Sequence, residues 1–162
     1  MTTAIPVLRW ISASRRIYTG MRHKTGWVVV LTAIGSLMAA LDTLVVASAL
    51  STIRVDLGAS VEALEWTVNA YNLSFAVLLI SAAALGDRYG RRAFYAIGLG
   101  LFAAASAAAA LAPSVGFLVA ARAAQGAGAA LVLTLGLTLL TAAFPPEKRG
   151  AAIGLFLSLI HI

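Results

Sequence analysis

Two charged side chains stand inside long apolar runs, Asp42 in the run that opens at Gly26 and Arg122 in the run that opens at Val115. A carboxylate at the centre of a membrane-spanning helix costs about 2.5–3.5 kcal/mol on insertion scales, so such groups turn inward toward partners or a cavity. At 1.5 Å per residue, Asp42 lies roughly 24 Å from the start of its run and about 12 Å from its far end near Leu50. Arg122 lies about 10 Å from the start of its own run, which places the two at one depth. A buried ion pair facing a shared cavity is one consequence, and a proton arriving on Asp42 would weaken it. The other is an Arg122 that snorkels to the interface and an Asp42 that bonds a neighbouring helix, with no proton chemistry.

Helical periodicity puts Arg122, Gln125, Gly126 and Ala129 on one face, and Gly35, Met38, Ala39, Asp42, Val45, Val46 and Ala49 on another. A second cluster, Gly86-Asp87-Arg88-Tyr89-Gly90-Arg91-Arg92, packs three arginines, one carboxylate and two glycines into seven residues. Hydrocarbon cannot hold it, so it is expected to be a short aqueous loop. As a topology anchor it needs only its basic residues. As a moving part it would use Asp87, Arg88, Arg91 and Arg92 for charge contacts that break when helices rock, with Gly86 and Gly90 permitting the turn.

Other chemistries lack their residues. There is no cysteine, and the two histidines, His23 and His161, make no metal site. No Ser/His/Asp set or pair of intramembrane carboxylates is present, so neither a catalytic site nor a metal is expected and the chain is read as a non-enzyme. Gly126 and Gly128 complete no phosphate-binding fingerprint, and no cofactor is implied. The net charge of +6 resides in the gaps between apolar runs and forms no basic face, which argues against a nucleic-acid partner.

The elements that must position these residues are membrane helices. Of 162 residues, 61% are hydrophobic and 11% charged, and the mean hydropathy is +0.94, far from a soluble composition. Four runs approach the roughly 20 residues of a spanning helix, at about 26–50, 64–85, 93–112 and 115–144. A shorter run at 150–162 follows Pro145-Pro146-Glu147-Lys148-Arg149, and Pro113-Ser114 marks a turn. Arg54, Asp56, Glu62 and Glu65 fall in the link between the first two runs. The fold class is thus all-α integral membrane, with a basic tail over 1–25 and a helical bundle over 26–162. Ala47-Ser48-Ala49 resembles a signal cleavage site, but the run before it is too long for a signal and further spans follow. Met21 is an alternative start.

Five Lys and Arg lie in the tail, three after the second run and two after the fourth, all on one side; only Arg54 lies in the opposite links. The positive-inside rule then places the N-terminus in the cytoplasm and the chain, multi-pass, in the plasma membrane. Small residues, among them Gly98, Gly100, Gly126, Gly128, Ala129 and Ala130, suit close helix packing in the bilayer, unless they reflect an alanine-rich genome.

In order, these features resemble the major facilitator superfamily, and within it the fourteen-span proton-driven multidrug antiporters. Leu85, Asp87, Arg88, Gly90, Arg91 and Arg92 meet the family's signature between helices 2 and 3, with Ala83 at its first glycine. Arg122, Gln125, Gly126, Gly128, Ala129 and Ala130 meet its helix 4 pattern, although Thr134 stands where a proline is common. Leu41, Asp42, Val45, Val46, Ala49 and Leu50 keep most of the helix 1 pattern, while Leu44, Ala47 and Ser51 depart from it. Trp66 and Tyr71 look like the helix 2 aromatic pair.

The resemblance implies proton or cation coupling by Asp42, Arg122 and Gln125, a gating loop at Gly86–Arg92, helix packing at Gly126 and Gly128, and a proton gradient as energy source. It implies a fold of two six-helix halves, so the chain would be part of the N-terminal half. On its own it is expected not to transport without the C-terminal half as partner. The leading expectation is efflux of drugs or other cationic or lipophilic small molecules. A transporter of metabolites such as sugars or organic acids, and a non-transporting four-helix scaffold, are the alternatives. Asp42 favours the first over the second, and Arg122 beside Gln125 disfavours the third.

Overall fold

The computed structural model describes the backbone of residues 5–160 and the side chains of 26–151, 153 and 154. His161 and the basic side chains of the tail lie outside the described residues. Five helices follow one another: α1 (Ile5–Asp56), α2 (Val61–Tyr89), α3 (Arg91–Ala110), α4 (Val115–Ala143) and α5 (Pro146–Ile160). Four segments are long and apolar enough to cross a membrane: Gly26–Asp56 in α1, then α2, α3 and α4. The described residues form no strand.

Caps set the boundaries. Ser60 and Ser114 accept hydrogen bonds from the N–H groups of Ala63 and Phe117 and so open α2 and α4, satisfying donors that a helix start leaves free. Pro146 begins α5, where its missing N–H is harmless. The first span runs six residues past the expected end at Leu50, because apolar positions and helical bonding continue until Leu57 and Gly58 turn the chain. Glu62 and Glu65, expected in the link, accordingly sit in the first turns of α2.

The charged loop between the second and third spans is a larger correction. Residues 86–89 continue α2, and Arg91 and Arg92 already belong to α3. Gly90 alone makes the turn, at φ +111°, a region closed to most side chains. Gly86 has a different role from the one expected: it is buried in α2 and the side chain of Leu135 on α4 occupies the space a Cβ would need.

Helix α4 is the centre of the bundle and packs against each of the others. The outward faces of α1 and α2 carry exposed Leu31, Ile34, Leu44, Val77 and Ile80, as lipid-facing helices should. With no hydrophobic effect between helices in lipid, close approach has to come from small residues. A Cβ on Gly128 would stand 2.7 Å from the Phe102 nitrogen and 2.9 Å from the Gly98 oxygen, so α3 and α4 touch backbone to backbone. Gly126 makes a similar approach to Tyr71 and Ser74 of α2. Gly128→Ala is therefore expected to destabilise the bundle by about 1–3 kcal/mol, the usual range for overpacking. Gly100→Ala, where nothing lies within 4 Å, should be neutral or stabilising. Unfolding of both in mixed detergent micelles, followed by circular dichroism, tests this; equal midpoints would refute the backbone contact.

Candidate functional site

The site is assembled near the middle of the α1 span and within the first eleven residues of α2 and α4. Arg122 and Gln125 lie one turn apart on the same face of α4, and Asp42 projects from α1 toward them. The Arg122 Nη1 donates to Asp42 Oδ2 at 2.6 Å and to Gln125 Oε1 at 2.7 Å. Gln125 Nε2 donates to Asp42 Oδ1 at 2.5 Å. The three side chains thus close a ring in which each bonds both others, and only one orientation of the Gln125 amide satisfies it. Arg122 Nε donates to the Thr67 carbonyl at 3.4 Å, and its guanidinium lies 4.4 Å from the centre of the Tyr71 ring.

Burial raises the stakes of this geometry. Arg122 is 3% exposed and Gln125 1%, while the Asp42 side chain retains 9%. In such surroundings a paired and hydrogen-bonded charge is tolerable, whereas an unpaired one is costly. The ring brings together one carboxylate and one guanidinium, so a proton on Asp42 would change the net charge of the cluster from zero to +1. Ion pair and snorkelling were both open in the sequence; the guanidinium here points into the bundle. Thr67 and Tyr71 complete its surroundings, and of these only Tyr71 carried a sequence signal, as the second member of an aromatic pair. Its partner Trp66 is half exposed. Val45, expected on the inward face of α1, is 60% exposed and faces outward.

A cavity of about 360 Å³ lies between α1 and α2 and shares Tyr71 with the cluster. Ser36, Thr43 and Asn72 give it polar points, while Ala39, Phe75 and Leu133 supply apolar wall. The hydroxyls of Ser36 and Thr43 are turned to carbonyls of their own helix. The Asn72 amide, exposed within a span, is the group left to meet a ligand there.

The charged segment sits at the other end of α4. Arg91 Nε donates to Asp87 Oδ1 at 2.7 Å across the Gly90 turn, with both side chains exposed. An exposed pair of this kind contributes about 0–1 kcal/mol, little enough to break and re-form. The Arg88 guanidinium lies over the Tyr89 ring, and Arg92 has no charged or hydrogen-bonding partner among the described residues. Because Gly86 is seated on Leu135, this segment and the cluster at Arg122 engage the same helix. Among the described residues no group of His, Cys, Asp and Glu is placed to hold a metal ion.

Residues 32–162 match the family model described as Major Facilitator Superfamily. The chain is 44% identical over 135 residues to the multidrug resistance protein Stp of Mycobacterium tuberculosis, covering 83% of this chain and 25% of that protein. It is 41% identical over 138 residues to the tetracenomycin C resistance and export protein of Streptomyces glaucescens, covering 85% and 26%. A methylenomycin A resistance protein of Streptomyces coelicolor is 41% identical over 137 residues, covering 84% and 29%. The chain spans about a quarter of the length of these curated relatives.

Proposed function

We propose that this chain, which belongs to the Major Facilitator Superfamily, supplies the proton-coupling wall of an exporter of cationic or lipophilic small molecules. The observation that carries this reading is the closed ring of Asp42, Arg122 and Gln125 inside the bundle. Asp42 is the one anionic group of the ring, so a proton and a cationic substrate would take the same carboxylate. Once the proton binds, the cluster is left at +1 and repels the cation, so the two compete, as exchange requires. A ligand can drive a conformational change only through such a difference in affinity between states.

The cavity beside Tyr71 suits an apolar body with few hydrogen-bonding groups. The names of the relatives, which speak of resistance and export, favour efflux over uptake of metabolites. Ten of the twelve basic residues fall on one side, which supports a cytoplasmic N-terminus and a plasma-membrane location.

The test grafts this segment into a full-length relative in place of the matching quarter and places the protein in liposomes. Efflux of a fluorescent lipophilic cation should follow an imposed proton gradient and stop when the gradient is collapsed. In the same graft, made on a cysteine-free background since this segment has no cysteine of its own, Lys148→Cys should react with an impermeant maleimide on the face opposite Leu111→Cys. Efflux indifferent to the gradient in a correctly inserted protein would overturn the coupling.

A further inference from the structure

We propose that Tyr71 is the positioning residue that receives the Arg122 guanidinium when Asp42 becomes neutral, so that a proton on α1 moves the cation toward α2 instead of leaving it without a partner. The guanidinium is held unequally from two sides. Toward α1 it meets Asp42 Oδ2 at 2.6 Å; toward α2 its Nε reaches the Thr67 carbonyl only at 3.4 Å, and the centre of the Tyr71 ring lies 4.4 Å away. While it is charged the carboxylate prevails, because a close ion pair in buried surroundings outweighs a long hydrogen bond and a ring face. Neutralising it removes the stronger pull. What remains on α2 is a carbonyl oxygen with room to shorten its bond and a negative ring face already under the cation.

The receiving side is fixed in place. Tyr71 is 9% exposed and belongs to a buried cluster with Ala39, Phe102 and Ala129, one residue from each of the other spans. Its ring is parallel to that of Phe75, one turn further along α2. Its carbonyl accepts from the Ser74 hydroxyl and lies against Gly126, where a Cβ would collide with it. One turn earlier the Thr67 hydroxyl donates to the Leu64 carbonyl at 2.6 Å, so it is the Thr67 carbonyl that serves Arg122. From α4 the guanidinium meets Gln125. Among the described residues no other charge competes for it: Arg54, Asp56, Glu62 and Glu65 are exposed toward the ends of α1 and α2, and α3 carries Arg91 and Arg92 at the end away from this site. The contact is therefore internal to the bundle.

The role in transport rests on Asp42 being the proton site proposed above; the movement of the guanidinium does not. The test uses Tyr71→Phe and its mono-, di- and trifluorinated analogues, which keep the shape of the ring and weaken its negative face in steps. Each is made with Asp42 and with Asp42→Asn, the neutral counterpart of a protonated carboxyl, and unfolding of the 162-residue chain is followed in mixed micelles at neutral pH. From Tyr71→Phe to the trifluorinated form the unfolding constant should rise about five-fold with Asp42 and about thirty-fold with Asp42→Asn, the difference between a cation–π contact whose charge is already neutralised and one that carries a bare buried cation. Any hydrophobic gain from fluorine is common to both backgrounds and cancels between them. Equal losses in the two backgrounds would overturn the proposal, as would losses that ignore the number of fluorines, since a ring that only fills space is the same throughout the series. In the grafted exporter, Tyr71→Leu should lower gradient-driven efflux about five-fold or more and Tyr71→Phe should restore it; undiminished efflux in Tyr71→Leu removes the ring from coupling. Efflux that ignores the gradient in the parent graft defeats the exporter reading alone, and the fluorine series still decides where the guanidinium goes.

Discussion

Asp42→Asn is expected to reduce proton-driven export at least about ten-fold, equivalent to roughly 1.4 kcal/mol or more of lost coupling, while insertion and expression stay near the parent level. Asparagine has nearly the shape of aspartate, and its amide oxygen can still accept from Arg122 or Gln125, but it cannot take up and release a proton. It also removes the charge that a cationic substrate would seek, so substrate and proton lose their common site together. Arg122 would keep the Thr67 carbonyl, the Gln125 oxygen and the Tyr71 ring, which is why the fold should survive. The measurement is initial efflux rate against imposed pH difference in the grafted protein, normalised to the amount inserted. A rate that climbs with the gradient as steeply as in the parent would remove Asp42 from the coupling pathway. Loss of insertion would instead assign it to folding.

The pairing of Asp42 with Arg122 was legible because a helix is a rigid ruler: a fixed rise per residue, counted back from the end of the first apolar run and forward from the start of the fourth, needs no knowledge of neighbours. Gln125 followed from periodicity, being one turn from Arg122. What stayed hidden depends on how helices are rotated about one another. The Thr67 carbonyl reaches Arg122 from α2, yet a backbone oxygen has no signature in a sequence. Val45 shares a nominal face with Asp42 but lies at its edge, where a small rotation of α1 exposes it to lipid. The charged segment was misread for a related reason. Charge and glycine content mark where the second apolar run stops, but helical bonding runs on past that point. One residue with positive φ, Gly90, is then enough to reverse the chain, which frees Gly86 to serve the contact with Leu135.

A double-mutant cycle should show whether the ring is one unit. Arg122→Leu leaves Asp42 without its counter-charge, and Asp42→Leu does the same to Arg122; each is expected to destabilise the bundle by about 3–5 kcal/mol, the usual result of breaking a buried pair from one side. Arg122→Leu also strands the amide of Gln125, which loses the donor to its oxygen. The double variant Asp42→Leu/Arg122→Leu removes both charges and fills much of the space with apolar carbon, so it should be more stable than either single variant. The interaction term should reach about 1–3 kcal/mol, as for groups in direct contact. Arg122→Lys provides a finer probe. It keeps the charge but lacks the planar fork that bonds Asp42 and Gln125 while lying over Tyr71. It should therefore fall between the parent and Arg122→Leu. Unfolding in mixed micelles measures the parent and the four variants on one scale. Additive losses in the cycle would mean that Asp42 and Arg122 are stabilised independently, and a proton on Asp42 would then have no direct hold on α4. A large interaction term instead makes the carboxylate's charge state a determinant of how α1 sits against α4, the helix that also carries Leu135 against the charged segment at its far end.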